Sequence, residues 1–307
     1  MKKLLLIDTF NFLHRAYHAL PKTLTDKNGE PTNAVYGVAS MLINVLDQIK
    51  PDYVLAAMDD IAPTFRVEGF TGYKAHRRPM EDDLSSQIPK VFEVIDAFGV
   101  KRVSLPGYEA DDVIGTMVEK FKGKDLELIV VSNDRDLWQL VKGNVLVMSP
   151  GPGGISEWIG EKEVMARYGF KPEQLVDYKG LRGDPSDNIP GVYGVGEKSA
   201  QKLIIEYKDI DTVYKKIDKV EPKSLRDKLL SGYEQAIMSR NLACIIKDAP
   251  LDIKLEDCTY HDSNKLGLRD VLDKYNFRSL LKRIEGQEDK AARKKQKEIP
   301  ETQMQLL

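Results

Sequence analysis

Short apolar runs that alternate with longer amphipathic segments are the feature that most constrains the fold of the first half of this chain. Strands are predicted over residues 4–7, 53–58, 102–105, 127–132 and 145–148. Between them, residues 34–49 and 113–121 have apolar side chains at helical spacing. Such alternation is typical of a mostly parallel sheet covered by helices, so we predict an α/β core over residues 1–172.

The second half of the chain has few strand signals. Helices are predicted over residues 174–180, 198–206, 225–230, 233–245 and 266–275. This pattern predicts a helical subdomain over residues 173–285. Residues 286–307 are highly charged and poor in apolar side chains, which predicts a disordered tail.

Cysteine content, apolar run length and net charge indicate the broad class of protein. Cys244 and Cys258 are the two cysteines among 307 residues, which is typical of reduced thiols in a cytoplasmic protein. The apolar runs are too short for a signal peptide or a membrane span, so we expect no membrane partner. We also expect a monomer. The net charge of −2 argues mildly against a nucleic-acid partner. Bound cations would cancel the clustered acids, however, and leave a positive surface.

Aspartates follow three of the predicted strands. Asp8 and Asp59 end the first two strands, and Asp134 and Asp136 follow the fourth. Residues just beyond the carboxyl ends of parallel strands point into one crevice, where ligands bind. Each aspartate taken alone could equally be the N-cap of the next helix.

Further carboxylates are expected at the same crevice. Glu109, Asp111 and Asp112 open a predicted helix, and three acids in four residues exceed what the helix dipole requires. Asp184 and Asp187 bring the set to nine. So many ionised carboxylates would repel one another unless cations bind between them.

The donor atoms of this set indicate the kind of metal. Oxygen ligands without nearby cysteine select Mg²⁺, with Mn²⁺ as a substitute, over zinc. His14 and His18 lack the glutamate of a zinc-protease motif, and we interpret them as surface or packing residues. Two hard cations about 4 Å apart are commonly used to displace a phosphodiester, one activating water and the other stabilising the leaving oxygen.

A glycine-rich segment over residues 190–199 has two interpretations. A nucleotide-binding loop fails because Glu197 separates the last glycine from the lysine and because no strand precedes the segment. Between two helices, the glycines predict a helix-hairpin-helix motif whose N–H groups contact duplex phosphates, or else an ordinary turn. The residues of the predicted contact are Gly191, Gly194, Gly196, Lys198 and Lys202.

A basic stretch with interleaved aromatic residues, FRVEGFTGYKAHRR, lies between the second and third predicted strands at residues 65–78. Such a run is often only a solvated face. Here we expect it to cover the acidic crevice, with Tyr73 stacking on an unpaired base. The residues expected to hold phosphates are Arg66, Lys74, Arg77 and Arg78.

Several segments together resemble the 5′ nuclease family, and most closely the N-terminal 5′ nuclease domain of bacterial DNA polymerase I. From residue 3 to about residue 284, in family order, they are LLLIDTFNFLHRAYHAL, MDDIAPTFR, GYKAHRR, PGYEADDVIGT, VSNDRDLWQL, LRGDPSDNIPGVYGVGEKSAQKLI and FRSLLKRI. The resemblance implies a PIN-like nuclease core, a helical arch over residues 64–90 and a C-terminal helix-hairpin-helix subdomain. It departs at Thr9, where the family usually has glycine, and at His14, where tyrosine is common.

The resemblance also implies roles for individual residues. In MDDIAPTFR the ligand would be Asp59 rather than Asp60, because the family's aspartate stands three residues before Ala-Pro. Lys74 with Arg77 or Arg78 would engage the scissile region, Arg15 would contact DNA, and the hairpin would bind duplex and a potassium ion. The implied metal ligands are Asp8, Asp59, Glu109, Asp111, Asp112, Asp134, Asp136, Asp184 and Asp187.

The activity implied is that of a structure-selective 5′-3′ exonuclease or flap endonuclease that acts in primer removal and repair. Because the chain ends where a polymerase would begin, we expect a stand-alone nuclease. Residues 303–307, QMQLL, resemble a peptide that docks on the sliding clamp, although a plain chain end is an equal interpretation. The alternatives for the whole chain are a non-catalytic DNA-junction binder and a metal-dependent ribonuclease with RNase H-like activity.

Overall fold

The central sheet contains six strands. The structure, a computed structural model, describes residues 1–151, 155–261 and 265–286. The strands are β1 (Lys2–Asp8), β2 (Tyr53–Ala57), β3 (Lys101–Val103), β4 (Leu126–Val131), β5 (Val145–Pro150) and β6 (Ser156–Ile159). Their order is β3-β2-β1-β4-β5-β6, and β6 alone among them runs antiparallel to its neighbour. The five predicted strands are confirmed, with ends that differ by at most two residues.

Helices connect and follow these strands. They are α1 (Thr9–Ala19), α2 (Asn33–Ile49), α3 (Phe65–Gly69), α4 (Asp82–Ser85), α5 (Ile88–Ala97), α6 (Ala110–Phe121), α7 (Glu161–Tyr168), α8 (Leu175–Arg182), α9 (Glu197–Tyr207), α10 (Ile210–Lys215), α11 (Lys223–Ser231), α12 (Tyr233–Ala243) and α13 (Lys265–Lys274). A further helical stretch covers residues 278–286. All seven helices predicted from the sequence are present.

The chain divides into two structural units. The first contains residues 1–11, 51–80 and 101–260, and the second contains residues 12–50, 81–100 and the described residues from 261 onward. The first unit therefore includes the whole sheet, the hairpin and every carboxylate predicted as a ligand.

One hydrophobic core unites the sheet of the first unit with its helices. Both faces of the central strands are covered, so that Leu5 and Leu6, which point to opposite faces of β1, are both fully buried. Ile114 of α6, Leu181 of α8 and Ile204 of α9 belong to the same buried cluster. The hairpin between α8 and α9 is thereby held by the same core as the strand ends.

The second unit is helical, and α5 packs against both α2 and α13. A buried Gln87 side chain accepts a hydrogen bond from the N–H of Ala34 at 2.9 Å and donates one to Asn33 Oδ1 at 3.0 Å. In the middle of α5, Glu93 accepts hydrogen bonds from Lys274 and Tyr275. These polar contacts fix the pairing of its helices.

The predicted arch segment, residues 64–90, contains the short helices α3 and α4 and the start of α5, with turns over residues 71–77 between the first two. A single long helix does not form there. Lys74 has a φ of 54° within these turns. That backbone conformation is uncommon for a residue with a side chain, and it fixes the direction of the basic segment.

Candidate active site

The carboxyl edge of the sheet contains the first of the predicted ligands, Asp8. One carboxylate oxygen accepts a hydrogen bond from Ser132 Oγ at 2.8 Å, and the other accepts one from the N–H of Asn11 at 3.1 Å. Burial raises the pKa of Asp8 to about 7 despite these two hydrogen bonds, and the charges of Asp59 and Asp134 add to the increase. Ser132, which the sequence analysis did not single out, therefore supports a predicted ligand.

The start of α6 is tied to the end of β2. The N–H of Ala110 donates to Asp59 Oδ1 at 2.8 Å, and the N–H of Glu109 donates to Asp112 Oδ2 at 3.1 Å. Amides at the start of a helix have no partner within the helix. These two hydrogen bonds satisfy the amides of Glu109 and Ala110. The first turn of α6 is thus held against Asp59, just beyond the end of β2.

Asp111, in the first turn of α6, is a further buried carboxyl group at this edge. Burial raises its pKa well above the usual range, the charges of Asp134, Asp8 and Asp136 raise it further, and Lys74 opposes the increase. The N–H of Asp136 also donates to Asp134 Oδ1 at 2.8 Å. Carboxylates that follow β1 and β4 and open α6 are therefore within electrostatic reach of one another.

A lysine that the sequence analysis missed, Lys179 of α8, lies between two predicted ligands. Its ammonium contacts Asp136 Oδ1 and lies 2.5 Å from Asp184 Oδ2. Burial raises the pKa of Asp136 to about 7 although Lys179 opposes the increase. Burial also acts to raise the pKa of Asp184, but Lys179 and the hydrogen bonds from Ser186 bring it below its usual value.

The turn after α8 returns Asp184 toward that lysine. Gly183 has a φ of 78°, a region that favours glycine. The backbones of Asp184 and Ile189 then exchange two hydrogen bonds of 2.8 Å each. This small loop places Asp184 and Asp187 at the same carboxylate cluster.

The basic segment contacts this cluster directly. Lys74 Nζ lies 2.8 Å from Glu109 Oε1 and 3.8 Å from Asp187 Oδ2, and Arg77 lies 2.6 Å from Asp187 Oδ1. The Tyr73 hydroxyl donates to Glu109 at 3.0 Å. Tyr73 is 4% exposed, so the structure differs from the prediction that its ring is available for base stacking.

The structure also differs from the prediction at Arg66 and Asp112. Arg66 is 3% exposed, and its guanidinium donates to both oxygens of Asp112, at 2.7 and 2.8 Å, and to the carbonyls of Leu242 and Cys244. Asp112 is 0% exposed and also accepts from the N–H of Ile246. In this position the Arg66 guanidinium is not accessible to a phosphate, and both oxygens of Asp112 already accept hydrogen bonds.

The remaining predicted DNA contacts are more accessible. Arg78, Lys198 and Lys202 are exposed in the first unit. Arg15 is half-buried on α1, in the part of that helix that belongs to the second unit.

The predicted hairpin is present between α8 and α9, and Gly191 shows why it needs glycine. Its φ is 64°, and a Cβ there would lie 2.2 Å from the backbone nitrogen of Gly183. The N–H of Gly191 donates to Ser239 Oγ at 2.9 Å, so this amide is used internally instead of facing a phosphate.

The tip of the hairpin carries one aromatic side chain and one lysine contact. Tyr193 is 90% exposed, and Lys228 Nζ donates to the carbonyl of Gly194 at 3.1 Å. The sequence analysis singled out neither residue. Tyr193 belongs to no periodic pattern, and Lys228 lies 34 residues beyond Gly194 in the sequence. Lys228 was found only through the fold.

The chemistry of the donor set fits hard divalent cations, since the clustered side chains supply oxygens only. Within residues 1–151, 155–261 and 265–286, no group of three His, Cys, Asp or Glu side chains is already arranged to hold a metal ion. Lys74, Arg77 and Lys179 instead contact the carboxylates. The acids are therefore gathered but partly neutralised by the chain's own cations.

None of the helices that the structure describes is both long and apolar enough to cross a membrane.

The sheet, the carboxylate cluster and the helical hairpin together define a nuclease fold, and the chain belongs to the 5′-3′ exonuclease family. Residues 3–169 match the family's N-terminal resolvase-like domain, and residues 170–266 match its C-terminal SAM fold. The family resemblance and the fold class predicted from the sequence are both confirmed.

Curated relatives of the chain include DNA polymerases I. That of Caldicellulosiruptor bescii is 42% identical over 285 residues, which is 92% of this chain and 33% of that protein. That of Bacillus subtilis is 40% identical over 285 residues, which is 92% of this chain and 32% of that protein. The chain thus spans about a third of the length of these relatives.

Similar solved structures show the same fold at lower sequence identity. The T5 D15 protein co-crystallised with metal ions has a TM-score of 0.64 and 19% identity, and the match covers 90% of this chain and 100% of that one. The catalytic core of Rad2 in complex with DNA substrate has a TM-score of 0.59 and 15% identity, and the match covers 90% and 88%.

Proposed function

We propose that this chain is a divalent-metal-dependent nuclease that hydrolyses DNA phosphodiesters near 5′ ends, at junctions of single and double strand. The observation that supports it is the gathering of carboxyl groups at one edge of the sheet, where hydrogen bonds tie Asp8 to Ser132 and Asp59 to the start of α6. Burial and the charges of Asp134, Asp8 and Asp136 together raise the pKa of Asp111. Burying so many acids together is unfavourable unless cations neutralise them.

The proposed metal ligands are the oxygens of this cluster, and Mg²⁺ is the ion that suits them, with Mn²⁺ as a substitute. When bound, two such ions would activate water and stabilise the leaving oxygen. Ser132 and Asn11 orient the Asp8 carboxylate, and the N–H of Ala110 orients that of Asp59. The ligand set proposed is Asp8, Asp59, Glu109, Asp111, Asp134, Asp136, Asp184 and Asp187, without Asp112, whose oxygens Arg66 and Ile246 occupy.

We propose that Lys74, Arg77 and Arg78 hold the scissile strand. In the structure Lys74 and Arg77 pair with Glu109 and Asp187. A cation at those carboxylates would replace the pairing and leave the basic side chains for phosphate oxygens. Binding of metal would thereby prepare the binding of DNA.

We propose that the hairpin contacts duplex backbone through Gly194, Gly196, Lys198 and Lys202 and that its carbonyls accept a potassium ion. The proposed division of the chain is a nuclease core over residues 1–172 with an arch over 64–90, a helical subdomain over 173–285 and a charged tail over 286–307.

The biological setting proposed is primer removal and DNA repair by a cytoplasmic monomer. The sliding-clamp peptide at residues 303–307 and most of the proposed tail lie outside the described residues.

The deciding experiment uses a 5′-flap DNA labelled at its 5′ end, incubated with the full chain in Mg²⁺ or in EDTA. We expect cleavage in Mg²⁺ only, with products that have a 5′-phosphate and a 3′-hydroxyl. Asp134→Asn should bind the flap without cutting it, and the exposed Lys171→Ala should behave as the unaltered protein. Binding without any cleavage would favour a junction-binding protein instead, and preferential cutting of a matched RNA flap would indicate a ribonuclease.

A further inference from the structure

Lys179 occupies a position that a metal ion would also favour. Its ammonium contacts Asp136 Oδ1 and Asp184 Oδ2, which belong to chain segments 48 residues apart. The Lys179 side chain is 12% exposed, and those of Asp136 and Asp184 are 19% and 10% exposed. This is a largely desolvated bridge, unlike a surface ion pair.

The local backbone is built so that this bridge forms. Lys179 stands on the last turn of α8, and Gly183, with its φ of 78°, ends the helix and reverses the chain. Asp184 is then fixed by hydrogen bonds from the N–H and the hydroxyl of Ser186, at 2.9 and 2.6 Å. Because the carboxylate is held from its own loop, the ammonium is not needed to position Asp184.

An ammonium and a divalent ion compete for these carboxylates. Lys179 contacts one oxygen of Asp136 and one of Asp184, so a metal ion bound between the two residues would lie next to the ammonium. The two cations would also repel each other at contact distance, in surroundings that water screens poorly. Loading the pair with metal therefore requires Lys179 to leave.

We propose that Lys179 is a tethered counter-ion that a divalent metal displaces from Asp136 and Asp184, so that this lysine sets the metal concentration at which the pair is loaded. The proposal rests on the proposed function in that it takes these two carboxylates to be metal ligands. Lys179 thus controls metal loading and takes no direct part in the reaction.

The test measures Mn²⁺ binding to the full chain without DNA, by the loss of the free-ion signal in electron paramagnetic resonance. We expect Lys179→Met to shift part of the isotherm to about tenfold lower Mn²⁺, the equivalent of removing one competing buried ion pair. Lys171→Met removes one charge from an exposed site before the same helix and should superimpose on the unaltered protein. An unchanged or weakened isotherm for Lys179→Met overturns the proposal.

A double-variant comparison tests whether Lys179 and the metal ion compete for Asp184. In an Asp184→Asn background, Lys179→Met should lose most of its effect on Mn²⁺ binding, because one of the two bridged carboxylates is gone. An effect of the same size in that background would place the competition elsewhere and overturn the proposal.

Folding must be controlled, since Lys179→Met leaves two poorly solvated carboxylates facing each other. We expect it to gain more in melting temperature from Mn²⁺ than the unaltered chain does, and an equal gain counts against the proposal. If the variant does not fold, Lys179→Arg becomes the test. It keeps the charge and should need at least as much Mn²⁺, so a shift to lower Mn²⁺ overturns the proposal.

The two proposals fail in different ways. A chain that binds Mn²⁺ as expected but cuts no flap refutes the nuclease function and leaves the role of Lys179 intact. A chain that cuts flaps in Mg²⁺ but binds Mn²⁺ equally with and without Lys179 refutes only the counter-ion.

Discussion

Arg66 and Asp112 form a two-pronged ion pair in which both oxygens of the carboxylate accept from the guanidinium, at 2.7 and 2.8 Å. Both residues are almost fully buried. A buried pair of this kind is expensive to break from one side, because the remaining charge has no partner and little water.

Arg66→Met should therefore destabilise the protein by about 3–5 kcal/mol, as measured by chemical denaturation. Arg66→Met with Asp112→Leu should recover much of that loss, since no unpaired charge remains. Arg78→Met, at an exposed site in the same segment, is the matched control and should leave the free energy of unfolding within about 0.5 kcal/mol. A fully stable Arg66→Met protein that binds DNA weakly would restore the phosphate-binding role predicted from the sequence.

Lys74→Ala should weaken binding of flap DNA in Mg²⁺ and reduce the slope of log affinity against log salt by about 0.7–0.9, the value for one lost phosphate contact. The measurement is fluorescence anisotropy over a series of salt concentrations. Lys171→Ala serves as the exposed control. A slope identical to that of the unaltered protein would show that Lys74 contacts no phosphate and pairs only with Glu109 and Asp187.

The metal-free protein should become less stable as the pH rises, and Asp8 should account for part of this change. Its folded-state pKa of about 7 lies above that of an unfolded aspartate, so the folded state holds a proton that the unfolded chain releases. The contribution is complete below the unfolded pKa and is lost as the pH rises through about 7.

This is measured as the free energy of unfolding in EDTA at about pH 5 and about pH 8. The free energy of unfolding of the unaltered protein, taken relative to that of Asp8→Asn, should decrease from the lower pH to the higher pH. Mg²⁺ should restore it at the higher pH. A relative stability that rises with pH would contradict the assignment.

Gly191→Ala should lower stability by at least about 1–2 kcal/mol, because its φ of 64° is costly for alanine and because a Cβ would clash with Gly183. Gly196→Ala is the contrast, since its added Cβ meets no atom within 4 Å. Thermal unfolding should separate the two variants. If Gly196→Ala keeps its stability but loses duplex binding, the hairpin contacts DNA closely at that residue.

Much of the fold could be predicted from periodicity alone because the central strands are buried on both faces and are almost purely apolar. The strand β6 escaped prediction since only Ile159 of its four residues is buried. The same periodicity predicted that Asp8 stands at the end of a strand and that Asp111 stands at the start of a helix. Their proximity followed from the parallel order of the strands.

Contacts made across long sequence separations could not be predicted in this way. Arg66 resembles its exposed neighbours in a basic run, and only the fold shows that Asp112 and two carbonyls surround it. Lys179 precedes Asp184 by five residues, which is not a helical contact spacing. Their bridge exists because Gly183 reverses the chain.

Asp112 belongs to the matched region that ends at residue 169, yet the amide of Ile246 and the carbonyls around Arg66 come from beyond it. Gln139 and Thr116 make similar contacts with Ala243 and Ala249. A fragment that ends at residue 169 would keep Asp112 and Arg66. It would lose the carbonyls of Leu242 and Cys244 and the amide of Ile246 that hydrogen-bond to them. The boundary between the two matched regions is thus a division of sequence that buried hydrogen bonds cross.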